Sequence, residues 1–575
     1  MFSLIVRMIQ CIERRRRSQL LILFILIILS SFAELISLGA ILPFLTVILA
    51  PENVFNHSLM QPLIIFLEIN TAAELQLPIT LGFIIVIIIA AVLRFLLLYV
   101  QTRLGFAIGA DFSRIIYYKT LFQPYIVHTR RNSSEVISTI SLKSNALASS
   151  ALLPILTLLS SSFILTFVLI GVILIDPLIS LYLCVFFGLS YGFLSFTTRK
   201  RLLKDSVDVD KQQDNLIKVL QEGFSSIKDI IIDSSQNTYT EKFESAHFKF
   251  RHAQGNIHII SGGPRYLIEA AGMILIIILS VSLIQNSGTT LLIQLPILGA
   301  FALGAQKILP IIQGMFASIS TLRGSKDSII SVFDLYDQEL PLNIKVVKPI
   351  SFNESIQFIN SSFSYNNKSP LVLNKINLTI SKGDKVGIMG NSGGGKSTLL
   401  DILIGLLQPS QGGMYVDDVL IDLKNSRSWQ HHISHVPQRI TLLDSSVAEN
   451  IAFGIPYKDI DLNRVYEAAK KANISNTIEL WEDGYKTPVG EKGVRISGGQ
   501  LQRIGLARAF YKGANVIVLD EATSALDDFT EDQIINNLES FGQELTIIIV
   551  AHRLSTLKHC STVIEVENGN IKKIR

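Results

Sequence analysis

Hydrophobic residues are distributed along this chain in two different ways. Up to about residue 320 they come as long runs of Ile, Leu and Phe. Beyond about residue 355 they fall into the short strand, turn and helix patterns of a soluble α/β domain. A helix crosses a bilayer with roughly 20 mostly apolar residues. Six stretches reach or approach that length and predict helices at about 20–50, 79–103, 146–175, 178–200, 260–285 and 290–320. The sixth is interrupted by Gln294, Gln306, Lys307, Pro310 and Gln313. Inside a membrane, such a polar side faces other helices or a wet cavity.

Charge orients the helices. Arg7, Arg14, Arg15, Arg16 and Arg17 precede the first helix. Arg103, Arg114, Lys119, Arg130, Arg131 and Lys143 lie between the second and third, and Arg199, Lys200 and Arg201 open the segment between the fourth and fifth. Residues 51–78 and the two short connections, 176–177 and 285–290, contain no Lys or Arg. The positive-inside rule then places the N-terminus, both long loops and the C-terminal domain in the cytoplasm. The four arginines before an apolar run resemble the start of a signal peptide, but the run is too long for one, so it reads as a retained first membrane helix. The long loops are expected to be helical extensions, because structureless loops above 40 residues are uncommon. Each must turn at a tip, near Gln123 and Pro124 and near residues 222–231, and the tips are candidates for contact with the C-terminal domain. Residues 60–70 fit either an interfacial amphipathic helix or a packed loop.

Composition agrees with this division. The 575 residues are 49% hydrophobic and 17% charged, against about a quarter charged in soluble domains; the mean hydropathy is +0.42. A net charge of +4 is too small to point to nucleic acid. Cys11, Cys184 and Cys560 have no ligand spacing and read as unpaired thiols. The expected organisation is an all-α six-helix membrane domain over 1–322, a linker over 323–354 and an α/β P-loop NTPase domain over 355–575.

The chemistry of the second half is explicit. An apolar strand at 386–389 runs into Gly390-Asn391-Ser392-Gly393-Gly394-Gly395-Lys396-Ser397-Thr398 and then an apolar helix. This is the phosphate-loop pattern G-x-x-x-x-G-K-[ST] in its proper strand–loop–helix setting. Glycines let the backbone wrap phosphates, and N–H groups at a helix N-terminus give them positive potential. Lys396 is placed for the β- and γ-phosphates, and the Ser397 hydroxyl for Mg2+. A second apolar strand, 516–519, delivers Asp520 and Glu521. Asp520 suits the Mg2+ shell and Glu521 suits a base that polarises the attacking water.

Residues 496–500, Ile-Ser-Gly-Gly-Gln, followed by Leu-Gln-Arg-Ile-Gly-Leu-Ala-Arg-Ala, resemble the signature of ATP-binding-cassette ATPases. Ile496 stands where that family usually has Leu. The resemblance implies further roles. Tyr365 is similar to the aromatic that stacks on adenine. Gln438, in His-Val-Pro-Gln, resembles the glutamine that senses Mg2+ and couples to the membrane domain. Ser524-Ala525-Leu526-Asp527 resembles the D-loop, and His552 the switch histidine on the γ-phosphate. Six helices followed by one cassette is the arrangement of bacterial half-size (type I) exporters. In that family Ser497, Gly498, Gly499 and Gln500 complete the ATP site of a partner chain, which implies a dimer, most simply a homodimer, in the inner membrane and working by alternating access.

The sequence says less about cargo. Arg94, Arg265 and Lys307 lie ~24, ~30 and ~27 Å from the outer helix ends at 1.5 Å per residue. Cations at one depth suit an anionic head group such as a diphosphate; snorkelling or pairing, for example Arg265 with Glu269, is the alternative. Glu34-Leu-Ile-Ser-Leu-Gly-Ala-Ile-Leu-Pro-Phe44 and Pro264-Arg-Tyr-Leu-Ile-Glu269 resemble stretches of flippases for lipid-linked oligosaccharides. Export of peptides, drugs or other lipids, or an ATP-gated channel, uses the same scaffold.

Overall fold

The computed structural model describes residues 2–49, 51–56, 60–66, 69–175, 177–286, 291–340, 350–366, 369–490, 493, 496–522, 528–539, 544–551 and 556–575. They form two compact units. One comprises Met1–Leu121 and Arg131–Glu339, the other Phe122–Arg130 and Leu340–Arg575.

The first unit is helical. Among the described residues, four stretches are long and apolar enough to cross a membrane: Arg14–Leu49, Ala72–Leu121, Ser133–Leu174 and Ser180–Ser225. Helices Pro264–Asn286 and Leu291–Gly324 follow in the fifth and sixth positions. The long loops are extensions of the membrane helices. Gln76–Leu121 and Pro177–Ser225 have 46 and 49 residues, about 70 Å each at 1.5 Å per residue. The first run breaks before Tyr125 and the second at Ser226, where the short helix Ile227–Ile232 leads into the return helix Gln236–Gly262.

Several helix ends differ from those expected, for local reasons. The first helix starts at Arg14, because Arg16 donates to Asp111 at 2.7 Å and Arg17 to the Ile12 carbonyl at 3.0 Å, so the arginines are held within a helix. The fifth starts at Pro264, after a break at Gly263; proline is suited to a first helical position. The third is approached through π turns at Thr139–Lys143 and Ala148–Leu152. Here the second helix comes very close: a Cβ added to Gly109 would lie 2.6 Å from Ala148 Cβ. Such close approach needs small residues. Between the first two long helices, Pro51–Phe55 and Gln61–Phe66 are short helices, and Ile64, Ile69 and Leu75 form a small core.

The expected linker is partly wrong. Its residues Lys326–Tyr336 are a helix, with Ile329, Val332 and Phe333 buried in the core of the membrane unit. Beside it the Lys143 ammonium, fully buried, meets Asp210 at 2.8 Å, Asp214 at 2.9 Å and the Ser331 hydroxyl at 3.3 Å. Two helical extensions and the former linker are thus tied at one ionic junction.

The second unit is α/β. Strands β1 (Ser355–Phe363), β2 (Leu373–Ser381), β4 (Gln411–Val416) and β5 (Val419–Leu420) form an antiparallel sheet in the order β2-β1-β4-β5. Strands β3 (Lys385–Met389), β6 (Ile433–Val436), β7 (Val516–Asp520), β8 (Thr546–Val550), β9 (Thr562–Glu567) and β10 (Asn570–Lys573) form a second sheet, ordered β10-β9-β3-β8-β7-β6. It is parallel from β9 to β6. Central strands buried on both faces read as unbroken apolar runs, as Thr546–Val550, TIIIV, does here with every residue buried. Because the strands are parallel, the ends of β3 and β7 lie on one edge of the sheet, where α/β proteins hold ligands.

Candidate functional site

β3 delivers the phosphate loop to that edge. Gly390, Gly393 and Gly395 have φ of 143°, 81° and 106°, values that L side chains rarely adopt. A Cβ on Gly390 would sit 2.1 Å from the Val566 carbonyl oxygen, and one on Gly394 2.7 Å from the same atom. The glycines therefore let the loop curl against β9. The helix Lys396–Leu403 starts directly from it. The Lys396 ammonium, mostly buried, donates to the Gly390 carbonyl at 2.7 Å and the Asn391 carbonyl at 3.0 Å. Asn391, Ser392 and Ser397 face solvent, whereas Thr398 is buried and lies 3.2 Å from the Tyr365 hydroxyl. The Tyr365 ring meets Phe363 edge to face at 5.0 Å.

β7 brings the acids to the same edge, with Asp520 opposite Val550 and Val550 opposite Ile388 of β3. Burial pushes the Asp520 carboxyl up, as does the charge of Glu521, and Lys396 opposes both. Glu521 has a φ of 50°, left-handed for a residue with a side chain; such backbone costs of order 1–3 kcal/mol and clusters at functional sites. Its carboxylate accepts from Gln438 Nε2 at 2.6 Å. Glu521 and Gln438, far apart in sequence, are therefore direct neighbours.

Asp401 belongs to this constellation and was missed in the sequence. It lies one turn after Ser397 on the same helix, so helical spacing alone carried the signal. Burial, then the charge of Asp520, pushes its carboxyl up to about 6. The segment Phe122–Arg130, at the first helix tip, is part of this unit too. Ile126 packs on the core of the two sheets, Arg130 donates to the Tyr365 carbonyl, and Arg427 lies 4.5 Å over the Phe122 ring. Tyr125 is within electrostatic reach of Asp401.

The signature residues start another helix, Gly498–Lys512. The Ser497 hydroxyl accepts from the Gln500 N–H at 3.3 Å, and Gln500 Oε1 accepts from the Ser497 N–H at 2.9 Å. This capping box fixes the helix start. It also occupies the Gln500 side chain, leaving Ser497 and Gly498 exposed. Asp527 and His552, like Ser524, lie outside the described residues.

In the membrane unit the three cations divide. Arg94 Nη1 lies 3.4 Å from Glu34 Oε1, and Lys307 Nζ donates to Glu34 Oε2 at 2.8 Å and to the Ser37 hydroxyl. Arg265 pairs with Glu269 at 3.6 Å. The expected ring of three cations is thus a two-cation cluster on a shared carboxylate plus a separate ion pair.

Residues 373–524 match the family model described as ABC transporter. The chain is 30% identical over 501 residues to the ATP-dependent lipid A-core flippase of Coxiella burnetii, an alignment covering 83% of this chain and 80% of that protein. It is 27% identical over 527 residues to the protein of the same name from Methylococcus capsulatus, covering 90% and 86%. The solved structure of a bacterial Atm1-family ABC exporter with ATP bound superposes with a TM-score of 0.78 at 20% identity, covering 96% of this chain and 94% of that one; the two share a fold.

Proposed function

The chain belongs to the ABC transporter family, among its exporters, and from that premise we propose that it moves an anionic lipid-linked substrate, a lipid-linked oligosaccharide, from the cytoplasmic to the outer side of a membrane by alternating access. The observation that carries the anionic cargo is the cluster of Arg94 and Lys307 on Glu34, two cations to one carboxylate within membrane helices. Charges there are costly and mark substrate paths. The lipid A-core flippases among its relatives support a lipid cargo.

In the motor, the loop fits a triphosphate. Its curled backbone tolerates no Cβ at Gly390, and Lys396 stands at its mouth. Ser397, Gln438 and Asp520 are the oxygen donors suited to Mg2+, a hard cation. Bound Mg2+ supplies positive charge for the phosphate oxygens. Gln438 orients the Glu521 carboxylate, and Glu521 takes the proton of the attacking water. Ser497, Gly498 and Gly499 present the start of a capped helix, an anion-binding end, to the ATP held by a second copy. The working unit is therefore a homodimer in the inner membrane with N-terminus and motor in the cytoplasm. Its membrane domain extends from 1 through the helix Lys326–Tyr336, and the motor occupies 355–575 together with the tip 122–130.

ATPase turnover in nanodiscs tests the cargo. A polyprenyl-diphosphate oligosaccharide is expected to stimulate phosphate release. Stimulation by a peptide or a cationic drug instead would move the assignment to those cargoes. Pairing in trans is tested by mixing two dead chains, Lys396→Ala and Ser497→Arg. Mixed dimers regain one intact site, and the mixture regains activity only if signature and loop work across chains.

A further inference from the structure

The first, second and sixth membrane helices meet at a single acidic side chain. Glu34 is 7% exposed and touches both Arg94, 50% exposed, and Lys307, 29% exposed. Ser37, 2% exposed, takes a further hydrogen bond from the Lys307 ammonium. The accessible side of the cluster is thus cationic, with the carboxylate behind it. One carboxylate for two cations leaves one positive charge, and Arg265 adds none because it is paired with Glu269. An unmatched charge among membrane helices is expensive, so the cluster favours an arriving anion. The same geometry makes Glu34 a rival of that anion, since both seek the Lys307 ammonium.

We infer that Glu34 is a resident competitor that sets the affinity of the site for an anionic head group by holding the Lys307 ammonium that a phosphate takes when cargo enters. This rests on the anionic-cargo reading above. Affinity then follows the charge count of the cluster. The wild type carries one excess positive charge, Glu34→Gln two, Lys307→Gln none, and the double variant one again. Glu34 also ties the first and sixth helices through Lys307, so an anion that draws Lys307 away loosens that tie; head-group capture and helix release become one event. After release of the head group, Glu34 reclaims the ammonium and shields the empty cations from adventitious anions.

The test uses the full chain in phosphatidylcholine nanodiscs, titrated with a polyprenyl diphosphate and, in parallel, with the uncharged polyprenol. For the diphosphate, Glu34→Gln is expected to bind about tenfold tighter and Lys307→Gln about tenfold weaker, with the double variant within about twofold of wild type. Polyprenol affinity should stay level across the set. If the wild type prefers the diphosphate but Glu34→Gln binds it no tighter, the role of Glu34 is overturned and the anionic cargo stands. If the wild type binds polyprenol as tightly as diphosphate, the anionic cargo falls, and the competitor with it. Should Glu34→Gln alone not fold, the double variant decides. Return to wild-type affinity relative to Lys307→Gln upholds the competitor, and no return removes it.

Discussion

The phosphate loop and the membrane cluster each centre on a lysine, and they hold it in opposite ways. Lys396 donates to carbonyls five and six residues back along the chain, so the loop that carries it also positions it. Lys307 reaches a carboxylate 273 residues away, and nothing near it in sequence announces that partner. Chemistry built from consecutive backbone is written as a motif with fixed spacing. Chemistry built by packing helices is written only in the tertiary structure. The motor therefore has a defined reaction, and the membrane site has a charge count.

The largest expected effect falls on the motor. Glu521→Gln should lower ATP turnover about a thousandfold, the scale of a lost general base, while ATP still binds. Phosphate release and nucleotide binding measured on the same sample separate the two, and turnover at the wild-type rate would put the base elsewhere.

Next comes Lys143→Met, which asks whether a long-range pairing matters as much as a local loop. It strands Asp210 and Asp214 without their cation. Removing one partner of a buried pair costs about 3–5 kcal/mol, so a large drop in thermal stability is expected. Adding Asp210→Asn and Asp214→Asn should restore part of it. No drop would show that packing alone holds the junction with the helix Lys326–Tyr336.

Gly390→Ala probes the loop itself. With a Cβ 2.1 Å from the Val566 oxygen and a φ of 143°, the loop must shift, and ATP affinity should fall by about 2 kcal/mol. Gly393→Ala, with no atom within 4 Å of its added Cβ, bears only the backbone cost of about 1 kcal/mol. Equal losses at both positions would mean that strain, not the clash with β9, governs the loop.

The smallest effect concerns Asp401. Its carboxyl is raised from 3.8 to about 6 by burial and by Asp520. The folded state therefore holds its proton more tightly than the unfolded state. Ionising it opposes folding, an effect absent below about pH 4, growing up to about pH 6 and full above that. Asp401→Asn should raise the melting temperature slightly at pH 7.5, by less than about 1 kcal/mol in stability after solvent screening, and the gain should vanish towards pH 4. A constant gain at all pH values would trace it to packing.

What could be read beforehand follows the same division. The loop, Asp520 and Glu521 were visible as motifs, the signature and Gln438 by their resemblance to a family, and turns were expected near Gln123 and Pro124 and near residues 222–231. The contact between Gln438 and Glu521 was not, because it joins residues 83 apart. Asp401 left a trace in helical spacing, one turn from Ser397. Ile329, Val332 and Phe333 also carried a helical period within the stretch 323–354 that reads as a linker. Glu34 stands in the stretch 34–44 of the first helix, yet no local rule paired it with Lys307 and Arg94.

The most direct test of the account is transbilayer movement of a polyprenyl-diphosphate oligosaccharide in proteoliposomes whose motors face the bath. The account predicts ATP-dependent movement from the motor-facing leaflet to the other, abolished by Glu521→Gln and sharply reduced by Arg94→Ala with Lys307→Ala. ATP hydrolysis without movement of this lipid, or movement that is unchanged in the Arg94 and Lys307 variant, would contradict it.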